Sequence, residues 1–128
     1  MLWRDGFCRI VRAPSQDYPG YCRVILNRHV REMTDLAESE RHRLMDAVYA
    51  CESALRELFR PEKVNLASFG NQVPHLHWHV IARHIDDPHF PDPVWAAPRR
   101  ASSGDARPAV SDAQLGERLS ALLTRSTP

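Results

Sequence analysis

The sequence predicts an α+β domain with four or five mostly antiparallel strands, one long helix over one face and a helix near the C-terminus. Three observations carry this. Short segments that alternate apolar and polar residues, bounded by Gly, Pro and Asn, recur through the first 85 residues. Between them, residues 38–59 hold apolar side chains at three- and four-residue steps. A second helical pattern occupies residues 112–124. With 128 residues the chain fits one domain with a modest core. We place its boundary at residue 97, leaving 98–128 as a linker and terminal amphipathic helix.

The elements follow in order. Phe7 to Arg12 reads as a short strand, with an incomplete alternation of Phe7, Arg9 and Val11. Residues 13–20, with Pro14, Ser15, Asp17, Pro19 and Gly20, form a loop. Residues 21–27 are a stronger strand, rich in apolar and β-branched residues, able to pair antiparallel with the first. Thr34-Asp35 is a helix cap. Leu44, Met45, Val48, Cys51, Leu55 and Leu58 then share one helical face, and Pro61 stops the helix. The charges of Glu38, Glu40, Arg41, Arg43, Glu52 and Arg56 read as its solvated side. Residues 63–69 are the next strand, and Gly70-Asn71-Gln72 suits a tight hairpin turn into the one that follows.

That following strand carries the most informative stretch, Pro74-His75-Leu76-His77-Trp78-His79-Val80-Ile81. Residues two apart on a strand share a face. The three histidines therefore form a row, and Leu76, Trp78 and Val80 point the other way, into a core. One histidine on a strand is ordinarily a polar residue on a wet face; three in register ask for chemistry. A metal site is one reading. However, ring nitrogens about 7 Å apart on one flat strand do not converge on an ion at about 2 Å without ligands from elsewhere. Nucleophilic catalysis is the other, since imidazole is nucleophilic near neutral pH.

Beyond Arg83 the prolines end regular structure. His84, Asp86, Asp87 and His89 are titratable but match no metal motif, and read as a solvated loop. Trp95 in this Pro-rich segment is expected to dock, within the subunit or on a partner. Residues 98–109 read as a flexible linker. Ser111 to Gln114 is a capping box ahead of Leu115, Leu119, Leu122 and Leu123.

Composition excludes some classes. A formal charge of +1 gives no electrostatic case for a nucleic-acid or membrane surface. No apolar run approaches a membrane span, and the N-terminus does not read as a signal peptide. Cys8, Cys22 and Cys51 contain no Cys-x-x-Cys pair; Cys22 and Cys51 sit in apolar patterns as small core residues. An odd count fits a reducing cytoplasm.

His75-Leu76-His77-Trp78-His79-Val80-Ile81 resembles the histidine triad (HIT) signature, His-φ-His-φ-His-φ-φ with φ apolar. The resemblance extends to Asn65, Gly70, Gln72 and Val73 before the triad and Arg83 after it. Upstream it extends to Pro19-Gly20, Cys22 to Leu26, His29-Val30 and Asp35-Leu36, so it spans residues 7–85. It implies a five-stranded antiparallel sheet with helices, paired as a homodimer, and a nucleotide hydrolase or transferase whose core reaction needs no metal or other cofactor.

It also implies roles. His77 attacks the α-phosphorus of a nucleotide to give a nucleotidyl-histidine, which water resolves to a nucleoside monophosphate. His79 hydrogen-bonds the phosphoryl oxygens and protonates the leaving group. His75 belongs to the network that sets the tautomer of His77. Gln72 contacts the phosphate or leaving group, Asn65 the ribose or phosphate, and His29 supports the nucleotide site. Backbone N–H groups near Gly70 and Asn71 stabilise developing charge.

Departures are present. Ala13 stands where an Asp or Asn often reads the ribose, with Asp17 as a substitute from the same loop. The loop before the triad is short, and Ala82 replaces a frequent Pro. Dinucleoside polyphosphates and nucleoside phosphoramidates both remain open as substrates, and the alternative is a non-catalytic nucleotide-binding protein.

Overall fold

The computed structural model describes residues 1–102 and 107–125. Five strands, β1 (Trp3–Arg4), β2 (Cys8–Arg12), β3 (Tyr21–Leu26), β4 (Lys63–Ala67) and β5 (His77–Arg83), form one antiparallel sheet in the order β1-β2-β3-β5-β4. Helix α1 (Glu38–Phe59) covers one face, and α2 (Asp112–Arg125) packs on α1. The α+β prediction therefore holds. β1 has no counterpart in the pattern analysis, because two residues cannot display a period; it exists through pairing of Trp3 with Ile10 and Arg4 with Arg9. β2 begins one residue later than expected. Asp5 Oδ1 accepts the Phe7 and Cys8 N–H groups and ends the turn there.

The period-two reading sorts the sheet correctly. Cys8, Ile10, Cys22, Val24, Leu26, Val80 and Ala82 form the face buried beneath Leu44, Val48, Cys51 and Leu55 of α1. At about 1.5–3 kcal/mol per fully buried aliphatic side chain, this face is the main source of stability. Leu76 and Trp78 pack on the same core, as expected. Gly20 immediately precedes β3, where a Cβ would stand 2.8 Å from Ala82 Cβ and 3.2 Å from the Phe59 ring, so only glycine fits. Ala82 N–H donates to Gly20 O at 2.7 Å, a bond that proline could not make.

Three local expectations are corrected. Thr34-Asp35 does not cap α1. These residues lie in a 3₁₀ turn, Met33–Asp35, and Glu40 Oε1 instead accepts the Ala37 N–H at the start of the helix. β4 and β5 pair, but the connection over residues 68–76 is a long loop rather than a tight turn, which moves the start of β5 to His77. Residues 98–102 and 107–110 are tied down: Arg99 and Arg100 donate backbone N–H groups to Pro88 O, and Arg107 pairs with Asp86 at 2.6 Å. The rest of the expected linker, including Ser103 and Gly104, lies outside the described residues.

The capping box of α2 forms as read, with Ser111 N–H on Gln114 Oε1 and Gln114 N–H on Ser111 Oγ. Its stripe buries within the subunit: Leu115, Leu119 and Leu123 join the core of α1 and the sheet. Cys8, Cys22 and Cys51 are free and buried. Among the described residues no helix is long and apolar enough to cross a membrane.

Candidate active site

The register of β5 assembles the other face. His77 pairs with Ile25, His79 with Arg23 and Ile81 with Tyr21 on β3, while Ala67 and Asn65 of β4 lie opposite His79 and Ile81. Partners in an antiparallel pair point to the same side. The loop over residues 68–76 rises above this face, turning at Gly70 with φ of 74°, which glycine adopts without strain. Between loop and sheet is a cavity of about 720 Å³ lined by all three histidines and by Gly70, Asn71 and Gln72.

Each histidine is held differently. His77 Nδ1 lies 2.6 Å from the carbonyl oxygen of His75. A carbonyl only accepts, so Nδ1 carries a proton, and in the neutral ring it is Nε2 that keeps the lone pair. The tautomer is thus set by the backbone of residue 75, not by its ring. The His75 ring turns aside, with Nε2 2.5 Å from Leu26 O and Nδ1 3.1 Å from His29 Nδ1. His75 precedes β5, so the row is two strand positions and one at the strand's mouth.

His79 is 9% exposed and its Nδ1 lies 2.8 Å from Tyr21 Oη. Its ring is 5.1 Å from His77 and 5.3 Å from Trp95, which in turn sits 4.7 Å from Phe69. Burial, then the charges of His77 and Arg23, lower its pKa from 6.5 to about 4. Burial is also the largest influence raising the Tyr21 phenol, while Arg23 opposes it. At neutral pH a phenol O–H therefore faces a neutral imidazole; in the tautomer whose Nδ1 accepts from the phenol, the ring's own proton is on Nε2.

Other predicted residues are placed elsewhere. Asn65 shares the triad face but lines a neighbouring groove, its Oδ1 accepting from Arg83 at 2.8 Å. His29 touches His75 without lining the cavity. Ala13 is buried against Tyr18, Tyr21 and Ile81, and Asp17 is exposed away from the cavity. Trp95 docks within the subunit, on His79 and Phe69, while remaining 51% exposed.

The segment carrying Trp95 is not the solvated loop expected around His84 to His89. Asp87 is 1% exposed. It pairs with Arg83 at 2.8 Å and accepts N–H groups from His84, His89 and Phe90 and the Tyr18 hydroxyl. Burial would raise its pKa, but the Arg83 guanidinium and these donors outweigh it and hold the carboxyl well below the usual carboxylate range. Among the described residues no three His, Cys, Asp or Glu side chains are grouped to hold a metal ion.

Tyr21, Arg23 and Arg9 also line the cavity, and sequence reasoning missed them. The signal was present: Tyr21, Arg23 and Ile25 alternate with the buried Cys22, Val24 and Leu26.

A five-stranded antiparallel sheet with a histidine-lined face defines the class. The HIT domain family matches residues 1–86, and this chain belongs to it. Its fold is similar to a histidine triad protein from Bradyrhizobium japonicum, at 28% identity and a TM-score of 0.71, covering 97% of this chain and 87% of that one. A histidine triad protein from Marinobacter aquaeolei VT8 is similar at 28% identity and 0.72, with 97% and 88% covered. A hypothetical histidine triad nucleotide-binding protein from Sulfolobus tokodaii strain7 shares the fold alone, at 15% identity and 0.62, with 97% and 83% covered. No curated protein matches the chain.

Proposed function

We propose that the protein is a nucleotide hydrolase that releases a nucleoside monophosphate through a covalent intermediate on His77. The observation that carries this reading is the hydrogen bond from His77 Nδ1–H to His75 O, which leaves an unprotonated Nε2 on a side chain lining the cavity. Nε2 attacks the α-phosphorus; an N–P bond forms, and the bond to the leaving group breaks with its electron pair departing on that group. Water then attacks the same phosphorus, its P–O bond replacing the N–P bond, and loses a proton. Two easier displacements replace one. His79 Nε2–H supports the phosphoryl oxygens, and Gln72 with the backbone N–H groups of Gly70 and Asn71 complete the oxyanion environment. Asn65 and His29 act at the edges, Asn65 from the adjoining groove. We extend the proposal to a homodimer in a reducing cytoplasm, consistent with three unpaired buried thiols.

The test is release of AMP from diadenosine polyphosphates, adenosine phosphoramidate and ADP in the presence of chelator. His77→Ala is expected to lose more than about 10³-fold in kcat, as when a covalent nucleophile is removed. His75→Gln keeps the backbone acceptor and is expected to lose less than about tenfold, the worth of one hydrogen bond. If wild type and His77→Ala both bind AMP and neither turns over any substrate, the protein is a non-catalytic nucleotide binder.

A further inference from the structure

Trp95 is brought to the cavity by a built support and is then left half-exposed. Its neighbour Val94 packs into the small cluster of Ala13, Tyr18, Tyr21 and Ile81. Just upstream, Asp92 O accepts from the buried Arg83 at 2.7 Å, and Ala96 N–H closes a turn onto Pro93 O at 3.0 Å around Trp95 itself. With 51% of its surface exposed, the indole adds little to either core. What it covers is His79, at 5.3 Å and 77°, and Phe69, at 4.7 Å and 81°. Three further rings touch His79. His77 lies 5.1 Å away at 73°, Tyr21 5.8 Å at 70° and Phe69 6.1 Å at 53°. Tyr21 Oη also occupies Nδ1 at 2.8 Å, which leaves Nε2 for the cavity that His79 lines. An imidazole touched from several directions has little freedom to turn about its Cβ–Cγ bond.

We infer that Trp95 is a positioning residue, which holds the His79 ring so that Nε2–H faces the phosphoryl group while Tyr21 keeps Nδ1. The inference rests on the role given to His79 in the proposed hydrolysis. Two physical effects carry it. Contact restricts rotation of the ring, so a hydrogen bond from Nε2–H needs no reorientation as charge develops on the phosphoryl oxygens. Cover keeps water from one side of the ring, so an added proton is poorly solvated there. The groups facing His79 act in the same direction. His77 and Arg23 disfavour a proton on it, the Tyr21 phenol stays protonated, and no acidic residue lines the cavity to draw one in. His77, Tyr21 and Arg23 are placed by the register of β3 and β5. Trp95 is the contact that depends on the segment after β5, so it can be removed without disturbing the sheet.

Two measurements on the full chain test this in wild type, Trp95→Ala and Trp95→Phe. The first is NMR titration of the His79 ring in the protein without nucleotide. Trp95→Ala is expected to move the midpoint up from about 4 toward 6.5, by about one pH unit or more, and to replace the Nε2–H signature with a mixture of tautomers. Trp95→Phe, which keeps an aromatic cover, is expected to recover most of both. The second is steady-state hydrolysis of whichever substrate named above is turned over fastest. In Trp95→Ala, kcat is expected to fall about tenfold to a hundredfold, more than KM rises, with Trp95→Phe again recovering most of it. A lowered melting temperature with the titration of His79 unmoved would overturn the inference. So would a rise in KM with kcat unchanged, which would make Trp95 a wall of the cavity and no more. If wild type hydrolyses nothing while the titration shifts as stated, the hydrolase reading fails and the hold of Trp95 on His79 stands.

Discussion

His79 shows how one residue's surroundings set its chemistry. It lies under Trp95 and Phe69, touches Tyr21 and faces Arg23. All of these disfavour an added proton or exclude the water that would solvate it. The consequence for stability has a definite sign. The folded-state pKa of about 4 lies below the ordinary 6.5, so between these values the unfolded chain binds more protons. The contribution is whole above pH 6.5 and is lost as pH falls toward 4. Thermal unfolding of wild type is therefore expected to drop across that window more steeply than that of His79→Gln. Parallel curves would mean that the imidazole titrates normally.

At the level of elements, the segment after β5 decides how the site is closed. Arg83 at the end of β5 binds Asp87, Asn65 Oδ1 and Asp92 O. Asp87 gathers the N–H groups of the following turn, and Arg100 returns to Asp87 O and Phe90 O. The result is a braced strap that carries Trp95 to His79. Asp87→Asn leaves the buried Arg83 charge without its counter-ion, and an uncompensated buried charge costs about 3–5 kcal/mol. Urea unfolding should show that loss, with weaker nucleotide binding as Trp95 is released. Arg28→Gln, which breaks the exposed pair with Glu40, is the control and should change stability little. A small effect of Asp87→Asn would show that the hydrogen bonds, not the charge, hold the strap.

For the whole molecule, the sheet order puts β4 at an edge. One side of β4 pairs with β5, and large apolar side chains including Tyr49 and Ile85 are exposed. An open edge is a surface that proteins cover or pair. Light scattering at micromolar concentration is expected to give twice the 14.7 kDa chain mass. A monomer at that concentration would remove the homodimer from the proposal.

Much of this protein was legible in local pattern, because burial on one side of a strand or helix imposes its period on the sequence. α1 was bounded at Glu38 and Phe59 by apolar spacing and by Pro61, the capping box of α2 by Ser111 and Gln114, and the histidine row by its period of two. Two-residue β1, the partner of α2 and the buried state of Asp87 were not legible. Each depends on a contact with a residue distant in the chain, and nothing local distinguishes a carboxylate awaiting a guanidinium from one in water. The same holds within the site. The sequence by itself determined that His75, His77 and His79 belong together. Only the tertiary structure decided that His77 is set by a backbone carbonyl, that His79 is neutral beneath Trp95, and that Arg23 and Arg9 share their cavity, because strand register and side-chain surroundings are properties of the assembled sheet.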